Sequence, residues 1–473
     1  MSRSAGGRVA RALAACALLV ACGGPKPPPG LIVISVDTLR ADAIEPLGAP
    51  EGSSPTLARI AREGVLFERA YAQANETQPS HAALFTSQLP SALGPVDSAL
   101  TIPDGTPTLA SSLAAAGWRT GAVVAGGHLA RVLGLDDGFQ QYVEARRMGS
   151  FQQTVPLGLR WLDEARAGDA PWMLFLHSYD CHIPYSKPQA LGRSATPGYR
   201  GPMLDIVHDP LSFEAMYQRF FFPRLPVGVD RDAVGAKVKA PETAALMTQW
   251  VNMPEVEKLP LTDADVAFLR GLYATSAFYA DLWLGVLWQE LDARGVLDDS
   301  VVVILSDHGE DLLEHGWMSH HHVLTDSSTH VPLIVRLPGG EGGGRRVREV
   351  VELIDVAPTL LGLQGLPIPE TMAGVDRSAC LRGGGCGGGP GVARSEAKNE
   401  QVSATDGFFR MTVSGAPAGS PAMAARVRRL EPSAVRLWDT TKGSGAEQAL
   451  DLRSFDPERV GRLRAALLGE GAP

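Results

Sequence analysis

Positive charge is in short supply in this sequence: 43 lysines and arginines face 52 aspartates and glutamates, a net charge of −9. That balance argues against nucleic acid as a partner, because a phosphate backbone is met by basic patches. Long apolar runs are missing too. The stretch Leu13 to Ala21 is shorter than the roughly 20 residues that a bilayer-spanning helix needs. Cysteine is scarce, with five in 473 residues, and neither their number nor their spacing suits a zinc knuckle. Two of them, Cys380 and Cys386, lie close together in a glycine-rich loop, where an exported protein can pair them. What is left is the composition of a globular chain, 45% hydrophobic and 20% charged, long enough for one large core and a smaller domain.

The first 21 residues read as a signal peptide, not as fold. Arg3, Arg8 and Arg11 form a basic start, the apolar run follows, and Leu19-Val20-Ala21-Cys22 resembles the bacterial lipobox with Cys22 as the lipidated residue. Residues 22–30, rich in proline, then serve as a tether. The expectation is a cell-envelope lipoprotein held to the membrane by acyl chains at Cys22. Gly23 stands where an Asp would retain it at the inner membrane, so the outer membrane is favoured.

Leu31 to Val36 and Val301 to Leu305 are apolar without alternation, the pattern of strands buried on both faces. Trp172 to Leu176 is a third such run, ending at His177. Further strands are predicted over Ala122–Ala125 and Val331–Leu337, with a short strand made of Val65–Phe67 and Ala70–Ala72. Helices are predicted over Pro55–Arg62, Pro107–Ala116, Phe151–Ala165, Thr262–Arg294 and Ile354–Leu363. Alternating strands and helices predict an α/β fold, a large mostly parallel or mixed sheet with helices on both faces, over residues 31–390. Within it, residues 189–261 are proline-rich and irregular and read as a lid or substrate loop. Glycines between Arg382 and Gly391 mark a boundary, and residues 391–473 read as a small antiparallel sheet closed by a helix over Pro457–Leu468.

Two of the buried strands end in acids. Leu31–Val36 runs into Asp37, and Val301–Leu305 into Ser306-Asp307-His308-Gly309-Glu310. Open α/β sheets hold their ligands at the carboxyl edge of their strands, so Asp37, Asp307 and His308 are candidate metal ligands. Thr77-Gln78-Pro79-Ser80-His81 precedes a helical run from Ala82 to Gln88. On the residues alone Thr77 reads either as a helix cap or as a nucleophile at the positive end of a helix. His182 follows the Trp172 strand and is either catalytic or polar surface. Of His320, His321 and His322, adjacent in sequence, one can enter the site. His128, His208, His315 and His330 read as structural, and Glu310 and Glu314 as solvated or supporting groups.

In order and spacing these segments resemble the sulfatase family of the alkaline phosphatase superfamily. The likeness is carried by Asp37-Thr38-Leu39-Arg40-Ala41-Asp42, by Thr77-Gln78-Pro79-Ser80-His81, and by Ser306 to Glu310 with Glu314-His315-Gly316 and Val331-Pro332-Leu333. Leu437-Trp438-Asp439 and Asp456-Pro457-Glu458 are similar to that family's closing sheet and helix, so the likeness spans nearly all of residues 30 to 470. The resemblance implies Asp37, Asp307, His308 and Thr77 as ligands of one divalent ion, with Thr77 also the nucleophile. It implies that His182 and His321 hold the substrate's anionic oxygens, with His320 standing where some members place a lysine. His81 takes the place of the arginine that supports the modified nucleophile in the family.

Two departures bear on the chemistry. Thr38 replaces a second acid, which weakens the case for calcium and admits manganese or zinc. Thr77 replaces the Cys or Ser that becomes formylglycine, and a threonine cannot give that aldehyde because its β-carbon carries a methyl group. A threonine can attack directly once a metal lowers its hydroxyl pKa. The expectation is therefore a hydrolase of sulfate, phosphate or phosphonate esters, acting on a small-molecule, glycan or lipid ester without formylglycine. A phosphoryl-head-group transferase and a catalytically dead lipoprotein that binds anionic glycans are the alternatives.

Overall fold

The computed structural model describes residues 30–96, 100–146, 148–183, 185, 196–201, 204, 262–315, 318–387, 391–398, 400–430, 435–441, 448–450 and 456–470. The expected signal peptide, almost all of the tether, most of the 189–261 stretch and His208 lie outside the described residues.

One eight-stranded sheet dominates the fold, in the order β10-β2-β9-β6-β1-β5-β3-β4. In chain order the strands are β1 (Gly30–Val36), β2 (Val65–Tyr71), β3 (Arg119–Val124), β4 (Gln141–Glu144), β5 (Trp172–Ser178) and β6 (Ser300–Leu305). A two-residue hairpin, β7 (Asp311–Leu312) with β8 (Met318–Ser319), precedes β9 (His330–Arg336) and β10 (Arg346–Glu352). The short strand predicted over residues 65–72 is β2. β6, β1 and β5 lie side by side and parallel at the centre. The alternate side chains of β1 serve two cores. Ile32, Ile34 and Val36 pack with helices Pro55–Glu63, Phe151–Arg166 and Asp263–Ala293, while Leu31 and Val33 pack with helices Thr77–Thr86, Leu109–Ala115 and Val356–Leu363. Burial on both faces is why these strands carry no polar alternation.

β9 alone runs against the other seven strands, antiparallel to both β6 and β2. The chain leaves β6 at its carboxyl edge and re-enters the sheet as β9 from the same edge, which forces the reversal. The long helix Asp263–Ala293 starts from a reciprocal cap between Thr262 and Asp265, as its sequence predicts. No helix among the described residues is long and apolar enough to cross a membrane.

The second sheet is an antiparallel meander of β11 (Ala393–Ala397), β12 (Gln401–Thr405), β13 (Phe409–Ser414), β14 (Val435–Asp439) and β15 (Gln448–Leu450). Helices Pro421–Arg429 and Pro457–Leu468 cover it and complete a separate apolar cluster around Met411, Val413 and Leu463. Side chains and edge backbone join the two sheets. Arg410, fully buried, pairs with Asp326 at 2.7 Å. Ser395 donates to the Ala72 carbonyl at 2.7 Å, and the backbone N–H of Glu396 to the Gln73 carbonyl at 2.8 Å. Cys380 and Cys386 form a disulfide just before this sheet begins.

Candidate metal centre

β1 and β6 are parallel neighbours in which Ser35 pairs with Leu305, so Asp37 and Asp307 leave the sheet side by side. The turn after Asp37 places Thr38 in the left-handed region (φ 57°). From there the Thr38 N–H donates to Asp307 Oδ1 at 3.2 Å, and the His308 N–H donates to the same oxygen at 2.9 Å. Asp307 Oδ2 and Asp37 Oδ1 are buried and have no hydrogen-bond partner. His308 donates from Nδ1 to the Gly309 carbonyl at 2.9 Å, which leaves the Nε2 lone pair directed elsewhere.

Thr77 is the first residue of its helix, not the cap; the cap position belongs to Glu76, whose side chain makes no capping hydrogen bond. This departs from the sequence reading, which placed the helical run at Ala82 to Gln88. The earlier start puts Thr77 and His81 one turn apart. The Thr77 hydroxyl donates to Asp37 Oδ2 at 3.0 Å and lies 3.4 Å from His308 Nε2. Ser80 ties the helix to the end of β6 through the Asp307 carbonyl at 2.6 Å. The helix therefore aims its unpaired N–H groups and positive dipole at the site.

Asp37, Asp307 and His308 each offer one ligand atom, and these atoms all lie within 4.8 Å of one another. All three residues are fully buried. Burial raises the pKa of both carboxyls, and Asp37 raises that of Asp307 further. Two buried acids with orphaned oxygens aimed at an imidazole lone pair fit a divalent cation, since buried charges without a partner are costly.

The histidines sort into a floor and a mouth. His81 is in the floor: it donates from Nδ1 to the Thr77 carbonyl at 2.8 Å, and its Nε2 meets the Ser35 hydroxyl at 3.0 Å. It lies behind Thr77, and burial depresses its pKa to about 4. His182 donates from Nδ1 to the Ile183 carbonyl at 2.7 Å, and burial depresses it likewise to about 4. The sequence reading put His321 ahead of His320, and the structure brings His320 further in. Its ring lies 4.4 Å from that of His308 and 5.2 Å from that of His182, with Nδ1 held by Glu310 at 3.0 Å. His321 is one quarter exposed and faces Glu76, with Nδ1 3.5 Å from Oε1.

Glu310 and Glu314 are buried supports. Glu310 orients His320, and Glu314 pairs at 2.8 Å with Arg40, which also grips Asp42 at 2.7 Å. His315 pairs with Asp311 at 2.7 Å, and His330 meets the Glu68 carbonyl at 2.9 Å.

Sequence reasoning missed three groups. His177, next to last in β5, lies beside Ser35, with Nε2 3.5 Å from Asp37 Oδ2 and neither ring nitrogen hydrogen-bonded. Its signal was available, because a third buried strand delivers it to the same edge as Asp37. Glu76 and Lys398 meet at 3.0 Å across the junction of the two sheets. Nothing local in the sequence pairs them.

The family model described as Sulfatase matches residues 29–366. Over 383 residues the chain is 23% identical to an arylsulfatase of Clostridium perfringens, covering 73% of this chain and 77% of that one. A 113-residue match to arylsulfatase K of Bos taurus is 32% identical but spans only 24% of this chain and 21% of that protein. Among solved structures, the phosphonate monoester hydrolase of Agrobacterium radiobacter superposes with a TM-score of 0.64 at 21% identity, covering 88% of this chain and 90% of that one. A structure in complex with its substrate D-glucosamine-2-N,6-O-disulfate superposes at 0.63 and 18% identity, over 88% and 92% of the two chains. With the sulfatase match extending over most of the sequence and both sheets present, the chain belongs to the sulfatase family.

Proposed function

We propose that this protein is a metal-dependent hydrolase of phosphate, phosphonate or sulfate esters with Thr77 as nucleophile. One observation carries the reading: the Thr77 hydroxyl stands 3.0 Å from Asp37 Oδ2 inside the same buried cluster as Asp307 and His308. Asp37, Asp307, His308 and Thr77 would hold the ion. When bound, a divalent metal supplies positive charge that favours the threonine alkoxide and balances the anionic ester. Manganese and zinc suit this set better than calcium, because Thr38 removes one acid and His308 adds a nitrogen ligand.

Thr77 is presented at a helix N-terminus, where an ionised oxygen is stabilised. Its oxygen forms the new bond to phosphorus or sulfur, the ester bond opposite breaks, and the proton given up by the Thr77 hydroxyl leaves on the alcohol. Water then cleaves the threonyl ester. His320 packs on His308 and His182 on His320, and both would meet the oxygens of the transferred group. Buried and uncharged, they act as oriented hydrogen-bonding groups. Positioning of this kind supplies much of the acceleration in such transfers.

The deciding test is a panel of nitrophenyl sulfate, phosphate monoester, phosphate diester and phosphonate, run with calcium, manganese and zinc. Hydrolysis of at least one ester, dependent on metal and on Thr77, is expected; a metal-loaded protein inert to all four defeats the reading. Attachment to the outer membrane through Cys22 belongs to the same proposal. Labelled fatty acid should enter the wild type and not Cys22→Ser.

A further inference from the structure

A lysine from the second sheet stands at the mouth of the metal cluster. Lys398 directly follows β11, whose end is pinned to the loop leading into Thr77. Glu396 forms a bridge with Ala74 and accepts from the Ser91 N–H and hydroxyl, each at 2.7 Å. Two residues further on, the Lys398 ammonium lies 3.0 Å from Glu76 Oε1. Glu76 immediately precedes Thr77, and its side chain is 4% exposed against 34% for Lys398. His321 shares that carboxylate at 3.5 Å and is 25% exposed. Its ring centroid lies 4.1 Å from that of His320, the two planes tilted, and His320 in turn packs on His308. The rim is thus continuous with the metal ligands yet open to solvent, where the part of a substrate beyond the ester has to lie.

The charge balance selects what the rim recognises. Lys398 and Glu76 cancel, and Glu76 is buried, so an incoming anion would have to displace a carboxylate that cannot move away. A neutral hydroxyl meets no such competition. An ammonium has three N–H donors and the ion pair with Glu76 engages at most one, so the exposed face of Lys398 keeps donors to offer. The His321 imidazole beside it can receive the hydroxyl's own proton. We propose that Lys398, held in place by Glu76, is a specificity-determining residue that donates to a hydroxyl on the alcohol moiety of the ester. Hydroxylated alcohols such as sugars are thereby preferred over bare aryl ones.

This inference rests on the ester-hydrolase reading. It is tested with metal-loaded full-length protein on glucose 6-phosphate and nitrophenyl phosphate, and on the two corresponding sulfates. The readout is the ratio of kcat/KM for sugar over aryl ester. Lys398→Met should lower that ratio about 10- to 100-fold, mainly through KM, as the loss of a charge-assisted hydrogen bond does. Lys398→Arg should keep most of it. A ratio unchanged in Lys398→Met, whether both rates fall together or neither falls, overturns the assignment and leaves the ion pair a structural tie. So does a wild type active only on aryl esters. If Lys398→Met fails to fold, Lys398→Gln is read in the same way. A wild type inert to all four compounds overturns the assignment of Lys398, and the hydrolase reading itself falls only if the nitrophenyl diester and phosphonate are refused as well.

Discussion

The floor of the site and its rim are built by different means. The floor, Asp37, Asp307, His308 and Thr77, hangs from two adjacent strand ends and one helix start. Its spacing follows from the pairing of β1 with β6. The rim, Glu76, His321 and Lys398, forms only where the antiparallel sheet docks on the large one. The floor is fully buried and set by backbone register, whereas the rim is partly open and set by side chains. A floor of the first kind tolerates little change. One of the second kind can be altered without touching the chemistry behind it.

That contrast breaks first if the floor proves dispensable. Thr77→Ala should lower kcat by roughly 10³-fold or more while the fold and bound metal persist, checked by kinetics beside metal analysis. Retained turnover would remove the nucleophile. Asp307→Ala should lose metal and activity together, because it deletes a ligand and strips the Thr38 and His308 N–H groups of their acceptor. An active, metal-loaded Asp307→Ala protein would show that the cluster is not the centre.

How much of this could be read from the sequence follows the same division. Asp37, Asp307 and His308 were legible because a buried strand fixes where its next residue emerges, and parallel neighbours emerge at one edge. Thr77 was legible as a residue but not in its exact place, since a helix start depends on which hydrogen bonds the preceding loop can make, and Glu76 took the cap position. The mostly parallel or mixed sheet was foreseen, but not which strand runs in reverse. The reversal of β9 follows from a loop that returns to the edge it left. The family resemblance pointed to His321, whereas in the fold Glu310, ten residues before His320, holds His320 beside His308. Lys398 was invisible because its partner is more than 300 residues away and the docking of one sheet on another leaves no local pattern.

The seam between the sheets offers a smaller effect. Arg410 is fully buried, bonded to Asp326 at 2.7 Å and to the Ser403 hydroxyl at 2.7 Å, with the Tyr71 ring 5.5 Å away. Arg410→Met leaves Asp326 buried without its cation and should cost about 3–5 kcal/mol by chemical denaturation. Arg410→Met combined with Asp326→Leu should recover part of that loss, because no lone charge is left behind. If the pair of changes destabilises as much as the sum of the two alone, the seam is held by packing and not by this ion pair.

The smallest expected effect is a pH dependence at the same seam. Glu352, at the end of β10, accepts from the Arg394 N–H at 2.8 Å and from Gln73 at 3.3 Å. Burial pushes its pKa up to about 7, with Asp355 adding to the rise and Arg394 opposing it. A carboxyl whose folded pKa lies above its unfolded value near 4.5 stabilises most at low pH, and that stability is lost as pH rises through 7. The buried histidines slope the other way, since His81, His182 and His321 are depressed to about 4 and lose stability as pH falls below 6.5. The seam is therefore isolated by difference. Glu352→Gln should gain about 1–3 kcal/mol relative to wild type between pH 5 and pH 8.5. A constant difference across that range would mean Glu352 stays ionised in the fold, its charge fully matched by Arg394. In that case the two sheets would be joined as firmly in alkali as in acid, and the rim would share the rigidity of the floor.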